Sequence, residues 1–155
     1  MATVGPVVVL LRDGRADLDA ATAATRLACA TDEVEVGVVA DDVEAKAMLL
    51  ALHEGRPVVA VADGTGAIWS RFVRAAEELG RPVRWETTAL AGLSATQIEL
   101  LWALSEGVRL PAAARIAAVS ERSAHRQLIA ARSRLGARTN SHAATMVREA
   151  IARFP

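Results

Sequence analysis

Four short valine-rich runs, Pro6–Arg12, Val34–Ala40, Pro57–Ala62 and Pro82–Thr87, alternate with amphipathic stretches near Ala16–Cys29, Asp42–Glu54 and Ala67–Leu79. No other feature of the chain limits its possible folds so tightly. Runs that are almost continuously apolar suit strands covered on both faces. Strands separated by helices need crossover connections, which join parallel neighbours with a right-handed turn. The expected fold of the first half is therefore α/β: a small parallel sheet in the order β-α-β-α-β-α-β. Gly55 and Gly80 follow the second and third helical stretches and are expected as left-handed helix stops.

The strand pattern ends before Leu93. "LSATQI" begins a helix in which Ser94 caps and Gln97, three residues on, completes a capping box, with Leu93 and Ile98 as the flanking apolar pair. That helix is expected to end at Glu106, ahead of Gly107. Pro111 suits the first turn of a second helix reaching about Ala118. Ser120 caps a third, Glu121–Leu135, which Gly136 stops. A fourth spans roughly Ser141–Arg153. The second half is thus all-α with four helices. "TTALAG", Thr87–Gly92, reads as the connection, giving an α/β domain over 1–88, a linker over 89–92 and a helical domain over 93–155.

Charge divides along the same boundary. The 155 residues carry no formal net charge, yet residues 1–92 hold 9 Lys/Arg against 14 Asp/Glu, and residues 93–155 hold 9 Arg against 4 Glu. The balances are −5 and +5, and a basic half of this kind is a candidate partner for nucleic acid. The single cysteine, Cys29, excludes an intramolecular disulfide and supplies no metal cluster. No segment approaches the roughly 18 uninterrupted apolar residues of a membrane span. "VGPVVVLL" lacks a basic lead and reads as a first strand, not a signal peptide. A cytoplasmic protein is expected, with no membrane partner, cofactor or metal.

"SERSAHRQLIAARSRLGARTN", Ser120–Asn140, concentrates five arginines. On a wheel of about 100° per residue, Ala124, Leu128, Ala131 and Leu135 form one stripe. Arg122, Arg126, Ile129 and Ser133 lie nearly opposite, with His125 and Arg132 to one side. An isoleucine among outward cations is unusual for a merely solvated face but useful in a major groove, where arginine meets guanine and an apolar carbon meets the thymine methyl. Two short helices joined by a tight turn, the second presenting polar residues, describe a helix-turn-helix.

On "LSATQIELL", Gly107, "VSERSAHRQL", "RLGAR" and Ala143, the segment Leu93–Ala144 resembles the LuxR/GerE-type DNA-binding domain of bacterial transcription regulators. The resemblance implies double-stranded DNA as partner, base-reading positions at His125, Arg126 and Ile129, and backbone-contacting positions at Ser123 and Arg134. The wheel adds Arg122 and Ser133. In that family the last helix often pairs two copies on a two-fold operator. The stripe Ala143, Val147, Ala150, Ile151 and Phe154 is compatible with such a homodimer and equally with packing on the chain's own core. Departures from the family pattern include Thr96-Gln97, Gln127 and Leu110-Pro111.

The first half, with "VEVGVVADDVEA" and "PVVAVADG", resembles the start of a response-regulator receiver domain. Asp63 then stands near the phosphoacceptor position and Thr87 or Thr88 near the switch hydroxyl. Only Asp13 follows the first strand, where receivers need an acidic pair for Mg²⁺, and the chain ends its α/β part before any fifth strand with its lysine. The expectation is a truncated, degenerate receiver-like domain that does not take phosphate, serving dimerisation or signal input. Asp41 is expected to cap a helix. No nucleophile–base pair supports an enzyme. The alternative to DNA binding is a protein-interaction module in which the helices bind RNA polymerase or another regulator.

Overall fold

A computed structural model describes residues 5–12, 15–63 and 66–154. Its elements are β1 (Val7–Leu11), a 3₁₀ turn (Arg15–Asp17), α1 (Leu18–Cys29), β2 (Glu35–Val39), α2 (Asp42–His53), β3 (Val58–Ala62), α3 (Gly66–Leu79) and β4 (Arg81–Arg84). A second 3₁₀ turn (Trp85–Thr87) leads to α4 (Ala95–Ser105), α5 (Leu110–Ile116), α6 (Glu121–Leu135) and α7 (Asn140–Ala152). The β-α-β-α-β-α-β order expected from the runs is present. The last strand is shorter than expected, because Trp85–Thr87 leaves the sheet as a turn.

All four strands are parallel, in the order β2-β3-β1-β4. A receiver sheet has the order 2-1-3-4-5, so the receiver-like expectation fails at this point. Here β1 pairs with β3 and β4, and β2 is held at the edge beside β3. The first crossover therefore passes β3's place before returning, a long-range choice that the local pattern of valines does not encode. Passing one way from β1 to β2 and the other way from β2 to β3 and β3 to β4, crossovers of a single hand need α1 on one face and α2 with α3 on the other. That is the arrangement found.

Alternation along the strands feeds two cores. Val8, Leu10, Val58 and Ala60 pack against Met48 and Leu52 of α2 and Phe72 and Ala76 of α3. Val7, Val9, Leu11, Val59 and Val61 face α1, and this second cluster continues without a break through Trp85, Leu90 and Leu93 into α4, α6 and α7. Trp85 is fully enclosed, edge-on to Phe154 with ring centroids 6.5 Å apart and planes at 86°. The helical half thus lies on α1, and α1 is the layer shared between the two halves. The α7 stripe of Ala143, Val147, Ala150, Ile151 and Phe154 is buried in this interior. Of the two roles open to it, packing within the chain is the one it has.

Two glycines behave differently from one another. Gly55 adopts φ +83° after α2, as a left-handed stop should. Gly80 is not in that region. It is small because a Cβ there would come within 2.5 Å of the Pro6 carbonyl oxygen, while the neighbouring Arg81 N–H donates to that same carbonyl at 2.8 Å. Its role is close backbone approach, not helix termination.

Candidate nucleic-acid interface

The capping box forms as its sequence dictates: Ser94 Oγ accepts from the Gln97 N–H at 3.2 Å and Gln97 Oε1 accepts from the Ser94 N–H at 3.0 Å. The buried Gln97 amide then donates from Nε2 to Gln127 Oε1 on α6 at 3.0 Å. The two residues noted as departures from the family pattern therefore satisfy each other, and the start of α4 is tied to the middle of α6.

Between α5 and α6 the chain turns through Ala118, at φ +55°, with the Val119 N–H returning to the Ala114 carbonyl at 2.9 Å. Ser120 Oγ accepts from the Ser123 N–H at 3.1 Å, and Gly136 closes α6 at φ +66°. Pro111 occupies the first turn of α5, where its missing N–H costs nothing. These local signals fix a helix of 15 residues, about 22 Å long at about 1.5 Å per residue.

Ala124, Leu128 and Ala131 bury one side of α6, and Leu135 is half-buried. Arg122, His125, Arg126 and Ser133 are exposed, as is Ile129 at 58%. The structure brings Arg122, Arg126, Ile129 and Ser133 together on one outward face, with His125 on its flank. Ser123 and Arg134 are set about a quarter-turn or more around the helix. Ser123 is half-buried. The Arg134 Nη1 donates to the Gly92 carbonyl, so this guanidinium is engaged by the connecting segment.

Arg109 and Arg115, which the sequence reading leaves aside, and Arg138, the last of the five arginines of Ser120–Asn140, are exposed around the same motif. Their wider spacing hides them from a single-helix wheel. Among the described residues, the one ion pair within 93–154 joins Arg148 to Glu106 at 2.9 Å. Among the described residues, Arg109, Arg115, Arg122, Arg126 and Arg138 are exposed and none forms an ion pair with a carboxylate within 4.0 Å, although Glu121 adjoins Arg122 in the chain; the surface around the exposed helix is positive on balance.

The carboxyl edge of the sheet is less concentrated. Asp41 caps α2, accepting from the Val43 and Glu44 N–H groups at 2.8 and 2.9 Å, as expected. Asp42 pairs with Arg71 at 3.1 Å. Asp63 is exposed just beyond β3, and Asp13 lies outside the described residues. Among the described residues, no group of three His, Cys, Asp or Glu side chains is placed to hold a metal. The Thr87 and Thr88 hydroxyls donate back to the Arg84 and Trp85 carbonyls, each at 2.8 Å. No helix among the described residues is long and apolar enough to cross a membrane. Compared with protein-family models and with curated proteins, the chain matches none.

Proposed function

We propose that this chain is a bacterial DNA-binding transcription regulator of LuxR/GerE-type character that lays α6 in the major groove. The observation that carries the reading is the outward face of α6, where Arg122, Arg126 and Ile129 stand exposed and, among the described residues, neither arginine forms an ion pair within 4.0 Å. Arg126 and His125 would meet base edges and Ile129 a thymine methyl, while Arg122, Ser123 and Ser133 would meet or approach phosphates. Arg134 would reach the backbone by exchanging its bond to Gly92 for one to a phosphate. The surrounding arginines would supply most of the affinity and its salt dependence.

The α/β half would serve pairing or signal input without conventional phosphorylation. A homodimer on an inverted repeat belongs to the proposal. Since the α7 stripe is inside the chain, the copies would meet through another surface.

The test is recovery of genomic fragments on the immobilised full chain, repeated across salt. Retention should fall steeply with salt. Arg126→Ala should relax preference at one base position at a cost of about 1–3 kcal/mol. Light scattering of the complex should give two chains per site. Retention that ignores salt, or binding of RNA polymerase without any retained DNA, refutes the reading and favours a protein-interaction module.

A further inference from the structure

We propose that the groove between α3 and the carboxyl ends of β1 and β4 binds a small aromatic anion. The groove has a volume of about 690 Å³, within the range of sites that enclose a small organic ligand. It lies against α3, on the face of the sheet opposite α1, and its chemistry is independent of the DNA-reading surface.

Its make-up is asymmetric. Leu10, Trp69 and Val73 give it an apolar wall, with Trp69 already stacked on Phe72 at 5.6 Å and so held in orientation. Arg12, Arg74 and Arg84 come to it from three separate elements. Its two carboxylates are both engaged within the chain: Glu86 accepts from the Arg12 main-chain N–H, and Glu77 lies 3.6 Å from Arg84. The guanidinium groups of Arg12 and Arg74 have no carboxylate partner among the described residues. A groove lined by an indole and by guanidinium forks with no carboxylate partner among the described residues suits a flat ring bearing a carboxylate or phosphate, since the fork takes two anionic oxygens at once. An aromatic carboxylic acid and a nucleoside monophosphate share that chemistry.

The site also has a route to the rest of the molecule. Glu86 and Thr87 line the groove, while Trp85, the first residue of the same short turn, is enclosed in the shared core against Phe154. An occupant that stiffens this turn acts directly on the wall of the interior containing α7.

The experiment titrates the full chain by calorimetry with 1-naphthoate, adenosine monophosphate, neutral 1-naphthalenemethanol and inorganic phosphate. One equivalent of 1-naphthoate or of the nucleotide should bind. The neutral alcohol and phosphate alone should each bind at least about tenfold more weakly than the better anion. Arg74→Gln, at an exposed position, should keep the far-UV spectrum and weaken that anion by about tenfold. Tighter nucleotide binding assigns the phosphate form of the ligand and tighter naphthoate binding the carboxylate form. Three results overturn the proposal: saturation by neither anion at about millimolar concentration, equal binding of the neutral alcohol or of bare phosphate, and unchanged affinity in Arg74→Gln.

Discussion

Leu90 gives the most direct test of how the molecule is held together. It lies in the short segment between the second 3₁₀ turn and α4, and its side chain is fully enclosed in the cluster that runs from the sheet to α7. Leu90→Ala removes three carbons, a transfer loss of about 2.4 kcal/mol at about 0.8 kcal/mol each. The walls around the site are helices pinned at several points, so the space closes only in part, and the total expected is about 2.5–5 kcal/mol. With a urea slope of about 2 kcal/mol per molar, the midpoint should fall by about 1.2–2.5 M. The assay follows urea unfolding in two backgrounds, Trp102→Phe and Trp69→Phe, so that Trp85 of the shared interior is read beside the α3 reporter in one and beside the α4 reporter in the other. Both should report a single coincident transition before and after Leu90→Ala. A midpoint shift below about 0.3 M, or a displaced transition in one reporter alone, would refute the reasoning that a single interior supports both halves.

Two smaller effects follow from local geometry. Ala118 holds φ +55° in the turn before α6, a conformation that costs a residue with a Cβ about 1–2 kcal/mol. After the entropy that glycine adds to the unfolded chain, Ala118→Gly should stabilise by about 0.5–1 kcal/mol, read as a higher urea midpoint; a lower one contradicts this account of the turn. Cys29 is half-buried, and that burial raises its thiol pKa above the ordinary range. The thiol form is thus favoured more in the folded chain than in the unfolded one. Its contribution to stability is complete below the unfolded thiol's pKa and is lost as pH rises through the folded value. Alkylation by iodoacetamide at mildly alkaline pH should be slower in the native chain than in urea, and an equal rate would exclude the effect.

What was legible beforehand depends on how local the determining chemistry is. α6 was readable to the residue, because Ser120 at its start and Gly136 at its end are satisfied within a few positions of themselves. The Ser94–Gln97 capping box and the Asp41 cap belong to the same category. The strand order was not readable, since any of several pairings would bury the same valines. The role of Gly80 is hidden from local sequence because its constraint, the Pro6 carbonyl, lies far away in the chain. Gln97 and Gln127 looked like independent departures until α4 and α6 brought them to hydrogen-bond distance. The outward side of α6 is visible on a wheel, whereas the arginines of the groove come from the residue after β1, from α3 and from β4 and meet only in three dimensions.

Because α1 is sandwiched between the sheet and α4 with α7, a scissile point after Gly92 would not release two self-sufficient pieces. The carboxyl-terminal fragment would show water the underside of α4 together with Val147, Ile151 and Phe154; the amino-terminal fragment would bare Trp85 and the outer surface of α1. Each is an adhesive surface broad enough to drive clumping. Expression of either portion by itself should therefore yield inclusion bodies, and co-expression of both should recover soluble material in which the fragments clasp each other.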